Sequence, residues 1–375
     1  MSSPTTTYDA IPASQRGHDA ARRIPSLDGL RGISILVVLL GHLAGTAGFP
    51  ATATALVLNR YVDVANLGVR VFFVISGFLI TGLLVDEFHS RGSISLSRFY
   101  LRRTLRIFPA YYAFIAVVSV LSLAGVLGVT RGDIAHALTY TVNYSPDRSW
   151  AIGHLWSLAV EEQFYLLWPA LVLMLGLMRA RRAAIAVMLA VPIIRVIEFT
   201  FVPQIRPIVG TSFETMADAL AVGCLLALMA AALQERRWYR WMIESRWAIP
   251  MLFVIGVVAS LRVRPAFLIG LPLTHIAIAL AVARCVAKPT GVVGAALNRP
   301  WLVYIGTLSY SIYLWQQLFL DRASSALTSR FPLNIIMVAV CALPSYYLVE
   351  RPLLRWRPAI ERKLLGDRPR RPAAP

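Results

Sequence analysis

The chain has 375 residues, 57% of them hydrophobic and only 15% charged, with a mean hydropathy of +0.64, a composition that excludes an ordinary soluble domain. The formal net charge is +18, but the basic residues cluster between apolar runs, a pattern that orients membrane helices rather than one that covers nucleic acid. Cys224, Cys285 and Cys341 each sit inside an apolar run with no C-x-x-C, so neither a disulfide scaffold nor a zinc site is indicated and no metal is expected.

Residues 1–26 form a polar N-terminal tail, expected to be disordered and to precede a retained first helix rather than to act as a cleaved signal, because many more apolar runs follow. Windows long enough to cross about 30 Å of hydrocarbon fall near 31–49, 67–85, 108–128, 154–176, 183–201, 212–233, 246–262, 266–284, 301–320 and 332–350. The expected fold is therefore all-α: a polytopic integral membrane protein of about ten transmembrane helices. With the N-terminus placed inside, 26 Lys and Arg fall in inner segments and 8 in outer ones, a bias that puts both termini in the cytoplasm. The membrane domain is expected over 27–356, and residues 357–375 read as a basic Pro/Arg-rich cytoplasmic tail able to touch anionic lipid.

Ionisable groups inside such helices mark function by default. The first helix carries RGISILVVLLGH, and Arg31 and His42, eleven residues apart, return to within about 20° on one face. Each also has a plainer reading, Arg31 as an interfacial cation and His42 as a buried histidine bonded to a neighbouring helix. The second helix ends VRVFFVISGFLIT, where Ser76 and Gly77 allow close approach of a helix or a ligand. In SRFYLRRTLRIFPAYY, Arg98, Arg102 and Arg106 recur every four residues and Arg103 pairs with Arg106. If helical, this is either a positive-inside signal or a site for a phosphorylated ligand.

The fourth window, GHLWSLAVEEQFYLLWP, places His154, Ser157, Glu161 and Tyr165 on one stripe, with Glu162 about 100° away. A carboxylate near the depth of His42 would orient the imidazole and raise its basicity. Arg195 and Glu198 suggest an ion pair inside the fifth window, and Asp218 lies near the start of the sixth. Tyr310, Tyr313, Gln316 and Gln317 give the ninth window a polar face, and Glu350–Arg351 reads as an interfacial ion pair.

Taken together, LDGLRGISILVVLLGH, GVRVFFVISGFLIT, FYLRRTLRIFPAYY, HLWSLAVEEQFYLLWP, ADALAVGCLLA, GTLSYSIYLW and YYLVERPLLRW resemble the acyltransferase-3 family of bacterial membrane O-acyltransferases, which includes O-antigen and peptidoglycan O-acetylases and macrolide acyltransferases. The resemblance covers residues 27–356. It implies a cell-membrane enzyme that takes an acyl group, usually acetyl, from cytoplasmic acetyl-CoA or a related acyl-CoA. The acceptor would be a hydroxyl on an envelope glycan, a glycolipid or a small glycosylated molecule. The family signatures fall on Arg31 and His42, on Arg103 and Arg106, on Ser76, Gly77 and Phe78, and on Glu161 and Glu162.

The expected roles follow. His42 is the base or acyl carrier, Arg31 stabilises the thioester carbonyl, and Glu161 or Glu162 orients the imidazole. Arg102, Arg103, Arg106 and Ser76 hold the donor, while Trp156, Ser157, Asp218, Tyr310 and Tyr313 line the substrate pocket. Gln316, Met216 and Arg70 depart from the family pattern, at positions that bear on the acceptor and the finer pocket. The chain is expected to act without the extracellular hydrolase-like domain that some members carry. A transporter or flippase for a polar glycolipid is the rival class, since polar groups in a bundle also mark substrate pathways.

Overall fold

The computed structural model describes residues 24–50 and 63–366. The bulk of the expected N-terminal tail and residues 367–375 of the expected C-terminal tail lie outside these. The principal helices, in chain order, are α1 (Pro25–Leu43), α2 (Val64–Arg91), α3 (Leu96–Leu123), α4 (Arg131–Leu138), α5 (Leu155–Phe201), α6 (Phe213–Leu228), α7 (Arg237–Glu244), α8 (Ala248–Ala259), α9 (Leu271–Ala287), α10 (Pro300–Gln316), α11 (Leu333–Pro344) and α12 (Arg351–Leu365). There is no strand among the described residues. The protein is an all-helical, multi-pass membrane protein.

All ten apolar windows fall on helices, but length separates them. Among the described residues six helices are long and apolar enough to cross a bilayer, and a seventh candidate is the pair α7 and α8, bent by 85°. The 16 residues of α6 and the 17 of α10 rise only about 24–26 Å, so length alone does not yield the expected ten. The windows 154–176 and 183–201 merge into α5, which breaks at Gly176 (φ 73°). That left-handed conformation is open to glycine at little cost, and its non-helical backbone kinks the chain there, so that α5 is two helical segments joined at Gly176. Residues 357–365, expected as the start of a tail, continue α12 as helix.

α1 packs between α2 and α10, α2 lies along α6, and α6 lies against α5. The α2–α6 contact is backbone-close because a glycine stands on each side of the crossing. A Cβ on Gly77 of α2 would lie 2.1 Å from the Leu220 carbonyl of α6, and one on Gly223 would lie 2.1 Å from the Val74 carbonyl. In a bilayer, where apolar burial between helices gains little, such close approach is what holds helices together. It fixes Ser76, the neighbour of Gly77, against α5.

Candidate functional site: two adjoining cavities

The inner faces of α1, α2, α3, α5 and α10 enclose a cavity of about 510 Å³. Its wall carries three guanidiniums, Arg31, Arg103 and Arg106, and four carboxyls, Asp28, Glu161, Glu162 and Glu350. The arginines of α3 divide by what they contact. Arg103 and Arg106 turn into this cavity. Arg98 and Arg102 turn away and hold Glu361 of α12, Arg102 through Nε at 2.9 Å and Nη2 at 2.6 Å and Arg98 through Nη1 at 3.2 Å. Arg102, expected at the donor site, is therefore a tether for α12 and does not line the cavity, although it lies only about 40° around the helix from Arg106.

Ser76 Oγ donates to Glu161 Oε1 at 2.6 Å, and Tyr165 Oη donates to Ser76 at 3.1 Å. The stripe expected on α5 is thus real at Ser157, Glu161 and Tyr165, all of which line this cavity. The Arg103 guanidinium stacks 4.9 Å from the centroid of Tyr165. Beyond that contact and one 5.8 Å from the centroid of Phe99, Arg31, Arg103 and Arg106 make no hydrogen bond or ion pair among the described residues. Glu350, read from sequence as an interfacial partner of Arg351, instead accepts a hydrogen bond from Ser311 and faces the same cavity. Tyr310 donates to the Ile107 carbonyl at 2.9 Å and adds an aromatic wall.

His42 does not share this cavity. It lines a second one of about 270 Å³ with Trp150, His154 and Trp156. Eleven residues along α1 rise about 16 Å, so Arg31 and His42 share a face but cannot touch one carbonyl, and the expected oxyanion role of Arg31 beside His42 is not supported. The two cavities adjoin at Val69 and Tyr313, which line both. Tyr313 is held there by a 2.6 Å hydrogen bond with Ser157 and by donating to the His154 carbonyl at 2.9 Å.

No glutamate orients His42. Its Nδ1 lies 2.8 Å from Gln316 Oε1 of α10, and its ring meets Trp150 edge-on at 5.7 Å between centroids. The carboxylates of α5 lie two helical turns from the level of His42. His154 is the residue of α5's stripe at the level of His42, and Glu161 lies seven residues, about 10 Å, further along. Because the amide oxygen of Gln316 can only accept, Nδ1 carries the proton and Nε2 keeps its lone pair. The polar face of the ninth window was legible, but the pairing of Gln316 with His42 had no signal in the sequence.

Asp218 is not a pocket residue either. It is fully buried between Arg195, whose Nη2 donates to Oδ1, and His275, whose Nδ1 lies 3.2 Å from Oδ2. Arg70 Nη1 donates to His275 Nε2 at 3.1 Å, which places the ring proton on Nδ1 toward the carboxylate. Arg195 thus pairs with α6 rather than with Glu198 of its own helix. The family departures Arg70 and Met216 also lie here: Arg70 joins this network and Met216 is buried beside it on α6. No group of three or more His, Cys, Asp or Glu among the described residues has metal-holding geometry.

Comparison with known proteins places this site in a family. Residues 24–351 match the model of the acyltransferase-3 domain, and the chain belongs to that family of acyltransferases. Among curated relatives, it is 30% identical over 90% of its length to a Staphylococcus aureus protein named “Putative O-acetyltransferase”. It is 29% identical over 88% of its length to a Bacillus subtilis “Putative peptidoglycan O-acetyltransferase”, and 27% identical over 88% to the peptidoglycan O-acetyltransferase of Listeria monocytogenes. The chain spans 55–59% of the length of these relatives. No solved structure matches it.

Proposed function

We propose that this protein is an O-acyltransferase of the bacterial plasma membrane that moves an acyl group, acetyl in the family's usual case, from cytoplasmic acyl-CoA to a hydroxyl of an envelope glycan, a glycolipid or a small glycosylated molecule. The observation that carries this reading is the pair of adjoining cavities: three guanidiniums with unspent donors in one, and an imidazole with a free lone pair in the other. Guanidiniums left without acceptors are matched to phosphate, which they bind as charge-assisted, often bidentate, hydrogen bonds.

In this scheme Arg31, Arg103 and Arg106 hold the anionic head of the donor, and Ser76 and Tyr165 fix Glu161 among them. The thioester arm reaches past Tyr313 toward His42. Nε2 of His42 takes the proton of the acceptor hydroxyl as its oxygen bonds to the thioester carbon. The carbon–sulfur bond then breaks, and the departing thiolate receives that proton from the imidazolium. The positive-inside bias supports reading the arginine cavity as the cytoplasmic end, where acyl-CoA is made.

The test is calorimetric titration of acetyl-CoA into the protein in nanodiscs. Wild type and His42→Ala should bind alike, and Arg103→Ala/Arg106→Ala should not bind. Absence of acyl-CoA binding to the wild type would remove the donor and leave movement of an intact substrate as the reading to pursue.

A further inference from the structure

The histidine cavity has a chemistry of its own. We infer that it is the acceptor subsite and that it selects a single sugar ring bearing an anionic group; the inference rests on the reading of His42 as the base. Its volume, about 270 Å³, is just below the range of sites for drug-sized ligands, which suits one ring and leaves the rest of a glycan outside. Trp150 and Trp156 supply aromatic walls, and Trp150 is fixed by donating its indole N–H to the Gln317 carbonyl at 2.9 Å.

Two polar groups in the wall lack partners for what they offer. His154 is 3% exposed, and its Nε2 lies 3.0 Å from the Leu314 carbonyl. A carbonyl can only accept, so Nε2 carries the proton and Nδ1 is an acceptor. That Nδ1 is buried with no hydrogen bond among the described residues. A buried acceptor left empty costs about 1–3 kcal/mol, and a sugar hydroxyl is a donor of the right kind to fill it.

Arg148 is the second group. It is half-buried, lines the cavity, and spends only Nη1, on the Ser145 carbonyl at 2.7 Å. Among the described residues no carboxylate lines the cavity with it. Asp147 makes no ion pair with it, and Asp63, whose charge reaches His42, is engaged in capping α2 through the backbone N–H of Asn66 at 3.1 Å. Arg322 adds positive charge near His42 while donating to the Gly41 carbonyl at 2.6 Å. The site thus holds a hydroxyl donor at His154, an anion at Arg148 and a hydroxyl to be acylated at His42.

The experiment is saturation-transfer NMR with the full chain in nanodiscs, using methyl β-glucuronide and methyl β-glucoside as probes. The wild type should bind the glucuronide about tenfold more tightly, the value of one charge-assisted hydrogen bond. Arg148→Gln should abolish that preference and Arg148→Lys should retain part of it. His154→Phe should weaken both sugars alike. Equal affinities in the wild type, a preference that survives Arg148→Gln, or no binding of either sugar by protein that binds acetyl-CoA would each overturn the inference. Selective glucuronide binding without acetyl-CoA binding would keep the anion subsite and reject the donor reading.

Discussion

Asp218→Leu is the perturbation that best separates architecture from site. Arg195 is wholly buried in the bundle, and its charge is balanced by Asp218, while Nε is satisfied by the Thr215 carbonyl at 2.6 Å. Removing one partner of a buried pair typically costs 3–5 kcal/mol, because the other charge stays buried. The retained carbonyl contact places Asp218→Leu near the lower end, about 3 kcal/mol. Arg195→Met should cost less, since His275 Nδ1 still lies 3.2 Å from the carboxylate left behind. In the double variant no unpaired charge remains between α5 and α6, so it should be more stable than the sum of the singles by about 2 kcal/mol. Unfolding in mixed micelles with increasing denaturing detergent reads these differences, and acetyl-CoA titration on the folded fraction should show no change. Additive single effects would refute the coupling. Loss of acetyl-CoA affinity with stability intact would return Asp218 to the substrate pocket.

Three further outcomes are expected. His42→Ala should lower acyl transfer by about 10²- to 10⁴-fold, the range of a lost general base, and Gln316→Leu should lower it in the same direction but less; a transfer assay at saturating acetyl-CoA in which Gln316→Leu matches wild type would reject the orienting role. Gly77→Ala should lower the melting temperature and weaken acyl-CoA binding together, since its Cβ at 2.1 Å from a carbonyl must open a contact that ordinarily begins near 3.4 Å and displaces Ser76 from Glu161; an unchanged melting temperature would count against the α2–α6 crossing. For Asp133, in the short helix α4 outside the spans, burial pushes the carboxyl up but hydrogen bonds from Ser149 and from the Thr130 hydroxyl and N–H outweigh it and hold the group below the usual carboxylate range. Its contribution is therefore present above about pH 4 and lost as pH falls through the depressed value, so Asp133→Asn should cost about 1–2 kcal/mol at neutral pH and flatten that acid limb in thermal unfolding.

The sequence by itself determined the class of fold and most of the arginine cavity. Apolar runs of bilayer length located the helices, and helical periodicity put Ser157, Glu161 and Tyr165 on one stripe, because both patterns are properties of a single segment. Periodicity groups the arginines of α3 on one arc, but nothing local told which of them meet the cavity and which meet α12. Tertiary structure alone decided that Arg102 is tied to Glu361, that Arg195 finds Asp218 rather than Glu198, and that His42 is partnered by Gln316. Each of these depends on the axial register between helices distant in the chain. That register is set by where glycines let two backbones meet, as at Gly77 and Gly223, and a shift of two turns along one helix exchanges one polar neighbour for another.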